Sequence, residues 1–248
     1  LVEDFERYQG DASVWGRFMG GIDQPSYGVI ACEERACGEH SVYFVHMTRE
    51  WTISEQKMFS GRVSLPKKLL IENEDTIKLK IHDRFIPDSK IEKEDLDLAS
   101  GWSWMEDRLV AGEGIMLVGK NEDVSFSVDV ETENMASTGI LVGLNRDFTE
   151  GISYNLEEKA KGLEVTDLER NETFRKIRLS SQKRVNQLCL VLCDLHTEMY
   201  FNGAFVGTTA LRKLYSLDKP RYLGLTAKGR AYFSNLRIKK LPWKHTYI

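Results

Sequence analysis

Three carboxylates alternate along one short segment of the sequence, at Asp129, Glu131 and Glu133. Residues two apart in a β-strand point to the same face of the sheet, about 6.6 Å from each other. Hydrolysis of a glycosidic bond uses two carboxyl groups that face one sugar. Asp129 and Glu131 are therefore the candidate catalytic pair. The alternative is a solvated strand face that lies opposite an apolar face made by Val124, Phe126, Val128 and Val130.

Two tryptophans, Trp102 and Trp104, are also two residues apart and would share one face of a strand. Paired indole rings can form a platform on which the apolar face of a sugar ring stacks. Both residues could instead lie in the core or in a seam between two modules, and the same alternatives hold for Trp15, Trp51 and Trp243.

A third polar set surrounds a predicted hairpin. The pair Asn202-Gly203 between two apolar segments is a strong signal for a two-residue β-turn. Asp194 and Glu198 stand in the segment that leads into this turn. We predict that Asp194, Glu198 and Asn202 hydrogen-bond to sugar hydroxyls, with turn formation as the alternative role of all three.

Other chemistries lack their sequence motifs. The chain contains no phosphate-binding loop, no dinucleotide fingerprint, no nucleophile elbow and no H-E-x-x-H pair. Its five histidines do not have the spacing of metal ligands, so we expect neither a metal nor a cofactor. Cys189 and Cys193 are expected in the core, whereas a disulfide between Cys32 and Cys37 is left open, as is the cellular compartment.

Charge and hydropathy limit the partners. Thirty-four Lys and Arg residues against 38 Asp and Glu residues give a net charge of −4, so the chain has no basic excess for binding nucleic acid. No run of 18 apolar residues exists, and we expect no membrane span.

The elements that must position these residues are strands. Apolar residues recur with period two in short segments separated by Gly, Asn and Asp, which predicts an all-β antiparallel sandwich over residues 100–248. Tyr222–Leu225 and Ala231–Ile238 are predicted to be its two closing strands. Residues 1–99 are predicted to form a smaller β-rich segment and a connector, with the charged stretch from Asp83 to Asp97 as a solvated connection.

Two segments carry a resemblance to a known family. Asp194, Glu198 and Asn202-Gly203, set in the strand pair of residues 190–203, resemble the C-terminal sandwich of glycoside hydrolase family 32, the fructosidases and invertases. Residues 59–69, which read F-S-G-R-V-S-L-P-K-K-L, resemble the connector between the propeller and the sandwich of that family. Similar strand pairs occur in concanavalin-like and laminin-G-like sandwiches.

The resemblance implies a concanavalin-like jelly roll, preceded by a possible remnant of a propeller blade. The catalytic motifs of the family, W-M-N-D-P-N-G, R-D-P and E-C, are absent from this sequence, so no catalytic residue is assigned from it. The expected function is therefore accessory: binding of an oligosaccharide or polysaccharide, or structural support of a propeller domain or second chain.

Two other functions stay open. The chain could be a free-standing sandwich glycosidase that uses Asp129 and Glu131, or a laminin-G-like protein-interaction domain. We also expect the 248 residues to be a fragment of a longer enzyme, because the sequence begins without Met and its first 99 residues resemble part of a larger fold.

Overall fold

The computed structural model describes residues 13–18, 26–34, 40–53, 56–63, 65, 67–73, 76–120, 122–133, 137–157, 162–179, 183–193, 196–210 and 220–241. The chain divides into two compact units, Leu1–Arg84 and Phe85–Ile248. Within the described ranges no helix is long and apolar enough to span a membrane.

The described part of the first unit contains six antiparallel strands. They are β1 Ser13–Phe18, β2 Ser26–Glu34, β3 His40–Ile53, β4 Gln56–Val63, β5 Lys67–Asn73 and β6 Thr76–Ile81. Strands β1 to β4 pair in chain order, and β5 pairs with the start of β3 and with β6. The alternation of apolar residues predicts strands at Val14–Met19, Tyr27–Cys32, Ser41–Met47 and Thr76–Ile81, and their described residues lie on β1, β2, β3 and β6. A fifth predicted strand, Gly61–Leu65, overlaps β4 at residues 61–63.

Among the residues that the structure describes, the second unit has twelve strands in two antiparallel sheets. They are β7 Ser89–Lys90, β8 Trp102–Met105, β9 Arg108–Lys120, β10 Val124–Thr132, β11 Ser137–Leu144, β12 Ile152–Glu157, β13 Gly162–Asp167, β14 Glu172–Arg178, β15 Val185–Cys193, β16 His196–Phe201, β17 Ala204–Ala210 and β18 Tyr222–Lys240. The front sheet has the order β8-β9-β18-β10-β15-β16-β17. The back sheet has the order β14-β13-β12-β11-β18-β9.

Strands β9 and β18 belong to both sheets. Their pairing shifts register between Lys228 and Ala231, where the two strands turn from one sheet into the other. Gly114 and Gly229 stand at this bend with φ of 107° and 91°, a conformation that glycine adopts without steric cost. The two predicted closing strands are therefore one strand of 19 residues with a bend between its halves, which is a correction of the prediction.

The core lies between the sheets. Along β10, Phe126, Val128 and Val130 point inward and are at most 1% exposed, as the period-two pattern predicts. The hydroxyl of Tyr154 on β12 hydrogen-bonds to the Thr197 hydroxyl on β16, which joins the back sheet to the front sheet. The prediction of an all-β antiparallel sandwich is confirmed.

The charged stretch after Asp83 is not a solvated connection. Ile91 and Leu96 are buried in the core cluster of the second unit, and the Ile91 N–H donates to the Leu236 carbonyl at 3.0 Å. Strand β7 pairs with the end of β18. Apolar residues at intervals between the charges thus attach this stretch to the sandwich, so the second unit begins at Phe85 rather than at residue 100.

Candidate functional site

Asp129, Glu131 and Glu133 form a row on the outward face of the front sheet, which we name the carboxylate row. Their neighbours Val128 and Val130 point into the core, so alternation places the three carboxylates on the opposite face. Strand β10 lies between β18 and β15, and the register puts Glu131 beside Tyr232 on one side and Val185 on the other. The carboxylate row therefore occupies the middle of a sheet, where partners can reach it from both sides.

Two arginines hold Glu131. Arg108 on β9 approaches Oε2 through Nη1 at 3.4 Å, and Arg184, just before β15, donates from Nε to Oε1 at 2.6 Å. The Glu131 side chain is 17% exposed and that of Arg184 is 86% exposed. The carboxylate is thus fixed in the sheet, while one of its two cations lies almost entirely in solvent.

Tyr232 extends the site toward Glu133. Its hydroxyl donates to Glu133 Oε1 at 2.7 Å, and this hydrogen bond is the main cause of the raised pKa of Tyr232. The guanidinium carbons of Arg108 and Arg230 lie 4.7 and 5.6 Å from the centre of the tyrosine ring, within the range of cation–π attraction. Because the Tyr232 ring is largely buried, guanidinium groups and carboxylate oxygens make up the accessible surface here.

Asp129 is held by amides instead of cations. Gln187 Nε2 donates to Oδ1 at 3.4 Å, and Asn235 Nδ2 donates to Oδ2 at 3.2 Å. Asn235 has a φ of 52° at a register shift of β18, and its own Oδ1 accepts from Arg237 Nε at 2.8 Å. Each member of the carboxylate row therefore has defined donors.

This geometry suits hydrogen bonding to a ligand better than hydrolysis. A glycosidase needs a carboxyl group that can deliver a proton to the sugar oxygen. Both oxygens of Glu131 accept from arginines and both oxygens of Asp129 accept from amides. Three carboxylates face Arg108, Arg184 and Arg230, and this balance of charge suits a neutral, hydroxyl-rich ligand.

The two tryptophans point the other way. Trp102 is 5% exposed and stacks on Phe233 with ring centres 5.5 Å apart and an interplanar angle of 22°. Trp104 is half-buried against the same core, with Lys93 Nζ 5.3 Å from its ring centre. The platform proposed for Trp102 has no free ring face, because β8 directs both indoles inward.

The hairpin residues have structural roles where the structure describes them. Glu198 is buried and accepts a hydrogen bond from the Tyr200 hydroxyl at 2.7 Å. Burial raises the pKa of Tyr200 well above its ordinary value. Asn202 and Gly203 have φ of 50° and 79° in the turn, and Asn202 Oδ1 accepts from the Gln187 N–H at 2.8 Å. Asp194 lies outside the described residues.

Sequence reasoning missed the partners of the carboxylate row. Arg108, Arg184 and Tyr232 come from β9, from the start of β15 and from β18, and each is distant from Glu131 in the sequence. Tyr232 stands in a predicted strand, but an aromatic residue between Ala231 and Phe233 gives no sign of its face. Only the register of the sheet brings these residues together.

No group of three or more His, Cys, Asp and Glu side chains that could hold a metal ion occurs in the described part of the chain. Cys189 and Cys193 are buried thiols that are not joined in a disulfide, and burial raises the pKa of Cys189 to about 12. Cys37 lies outside the described residues, so the disulfide with Cys32 stays open.

Solved structures share this fold. A fructosyltransferase from A. japonicus aligns with a TM-score of 0.54 and 10% identity, covering 93% of this chain and 52% of that one. An exo-inulinase from Aspergillus awamori aligns at 0.53 and 14% identity, covering 85% and 43%. A β-fructofuranosidase from Aspergillus kawachii, complexed with glycerol, aligns at 0.52 and 11% identity, covering 93% and 54%.

Sequence comparison adds nothing to these alignments, since no protein-family model matches the sequence and no curated protein is significantly similar to it. The chain spans about half the length of the three solved structures. The resemblance to family 32 that the two sequence segments indicated is confirmed as a likeness of fold.

Proposed function

We propose that this chain is a carbohydrate-binding or supporting β-sandwich of a family 32-like glycoside hydrolase, with the carboxylate row as its ligand surface. The observation that carries the proposal is the arrangement around Glu131 and Tyr232. Carboxylate and guanidinium groups alternate there on a β-sheet. The surface therefore offers both acceptors and donors to the hydroxyl groups of a sugar. A propeller domain or a second chain is the structural partner we propose.

The exposed arginines allow a sugar to reach the carboxylate row. Arg184 is 86% exposed and touches the row only at Glu131, so a sugar hydroxyl can replace it as donor at little cost. Arg108 stays over the Tyr232 ring and donates to a hydroxyl oxygen. Met105 and Val185 are 39% and 45% exposed on the same face, and they offer apolar contact to C–H groups.

The first ligands to test are fructo-oligosaccharides. The three similar structures bear the names of a fructosyltransferase, an inulinase and a fructofuranosidase. A neutral fructan also fits the balanced charge of the carboxylate row and its arginines. Uncharged glucans and an anionic uronan complete a panel that tests this preference.

Calorimetric titration of the full chain against this panel tests the proposal. Saturable heat with a neutral oligosaccharide is expected, and Glu131→Gln should weaken binding about tenfold because it removes a charged acceptor. Glu113→Gln is the matched control, since Glu113 is an exposed glutamate on β9 outside the row. Equal weakening by both variants, or heat only with the uronan, would contradict the role of the row.

The same titrations separate the other two functions. Release of reducing sugar by the purified chain, abolished by Glu131→Gln but not by Glu113→Gln, would replace binding with hydrolysis. Absence of heat with every glycan would overturn the binding role of the carboxylate row and favour a supporting or protein-interaction domain.

A further inference from the structure

The loop between β11 and β12, residues 145–151, is held rigidly by one side chain. Asn145 Oδ1 accepts from the N–H groups of Thr149 and Glu150 at 2.9 and 3.1 Å, and its Nδ2 donates to the Thr149 hydroxyl at 2.8 Å. The Asn145 N–H closes the loop on the Glu150 carbonyl at 3.4 Å. We name this segment the Asn145 loop. Its backbone conformation is therefore defined although it lies at the surface.

The Asn145 loop exposes an aromatic ring in a strained conformation. Phe148 has a φ of 57° and is 38% exposed. Bulky residues rarely adopt this left-handed region, and backbone strain of this kind concentrates at binding and catalytic sites. Asparagine or glycine would fit the turn better. The sequence instead has phenylalanine, and the fold presents its ring to solvent.

A second costly feature anchors the same loop. Arg221, whose side chain is 5% exposed, pairs with Glu150 at 2.5 Å and donates to the Gly143 carbonyl at 3.3 Å. Its Nε is buried and has no hydrogen-bond partner in the described part of the chain. A buried cation with an unsatisfied donor reduces stability. Two unfavourable features therefore coincide at one short loop.

Polar groups accompany the ring. Arg146, two residues before Phe148, is exposed and donates from Nε to the Tyr222 hydroxyl at 3.1 Å. This hydrogen bond fixes the plane of the guanidinium group and leaves its terminal nitrogens to other acceptors. An aromatic ring, an oriented guanidinium and a phenol hydroxyl match the apolar face and the hydroxyl edge of a sugar ring.

We infer that the Asn145 loop is a second saccharide contact, in which Phe148 stacks on a sugar ring and Arg146 with Tyr222 binds its hydroxyls. The inference rests on the proposed carbohydrate-binding function and names a separate place for it. The Asn145 loop joins two strands of the back sheet, whereas the carboxylate row lies on the front sheet. Binding at this loop explains why its strain is retained.

Stability and binding measured on the same variants test the inference. Phe148→Asn should raise Tm by about 2–4 °C, because asparagine tolerates the left-handed conformation. The same change should weaken binding of the best oligosaccharide of the panel about tenfold, as should Arg146→Ala. Glu106→Asn is the matched control: Glu106 also has a φ of 57°, so this variant should raise Tm without weakening binding.

Each other result overturns the inference in a distinct way. A lower Tm for Phe148→Asn would show that the ring packs structurally. Unchanged affinity in Phe148→Asn, with weaker affinity in Glu131→Gln, would confine binding to the carboxylate row and leave the proposed function intact. Absence of binding by the unaltered chain would overturn both.

Discussion

The inward face of the front sheet and the carboxylate row on its outward face place polar groups in opposite ways. On the inward face, the Thr197 hydroxyl accepts from the Tyr154 hydroxyl and donates to the Thr209 carbonyl, so the buried hydroxyls have partners within the protein. On the outward face, Glu131 is satisfied by Arg184, a side chain that lies almost wholly in water. The hydrogen bonds of the inward network are all made within the protein, whereas at Glu131 a ligand can take the place of Arg184.

This difference indicates which polar residues are available to a ligand. A buried hydroxyl pair fixes the packing of two sheets and cannot be separated without leaving an unsatisfied group. An exposed guanidinium loses little when a sugar hydroxyl takes its place. Stability should therefore depend on the inward face, and ligand affinity on the carboxylate row.

The largest effect is expected from the indole on the inward face. Trp102→Ala should lower the free energy of unfolding by about 3–5 kcal/mol, because it removes a buried ring stacked on Phe233. Urea denaturation measures the loss. Met105→Ala, on the outward side of the same strand and 39% exposed, should change stability by less than about 0.5 kcal/mol. Equal effects of the two variants would contradict the assignment of faces.

The inward network should also make the fold sensitive to alkali. Burial raises the pKa of Tyr154 from 10.0 to about 12, so the folded state retains a proton that the unfolded chain releases. Stability from this group is complete below pH 10 and falls as the pH rises toward 12, at about 1.4 kcal/mol per pH unit. Urea denaturation at a series of pH values measures the slope.

Two variants identify the groups responsible for that slope. Tyr154→Phe should flatten the fall above pH 10, at the expense of about 1 kcal/mol at neutral pH from the lost hydrogen bond. Cys189→Ala should remove a separate fall in stability that begins near pH 9, where the unfolded thiol starts to ionise, because burial raises the pKa of this thiol to about 12. An unchanged slope in both variants would place the alkaline sensitivity elsewhere.

The smallest effect is expected on the outward face. A double-mutant cycle with Glu131→Gln and Arg184→Gln should give little or no coupling energy in unfolding experiments, because Arg184 is solvated and screened. Any coupling should shrink further in 1 M salt. A large coupling energy that persists in 1 M salt would mean that Arg184 is a structural partner and not an exchangeable one.

The sequence predicted the strands whose apolar residues alternate without interruption. Strand β10 and the hairpin at Asn202-Gly203 lie where the pattern puts them. The pattern did not predict β9, whose glycines interrupt it at the bend between the sheets, or β14, whose residues alternate only between exposed and half-buried positions. A strand at the edge of a sheet has little need of an apolar face, so its sequence carries little signal.

The candidate site was predictable only in part. The alternation of Asp129, Glu131 and Glu133 is local, so their common face follows from β periodicity alone. Their arginines come from other strands, and Phe148 is recognised only through its φ, which no pattern of residue types reveals. The tryptophan spacing correctly gave a shared face, but it did not say which of the two faces.

The long last strand also determines the order in which the sandwich can be assembled. Strand β18 pairs with β7, β9, β10 and β11. Each of these four earlier strands therefore lacks one of its pairing partners until residues 222–240 have left the ribosome. Contacts between such distant parts of the chain form slowly. During synthesis the incomplete sheets would present unpaired edges, which are prone to aggregation until β18 has paired with them.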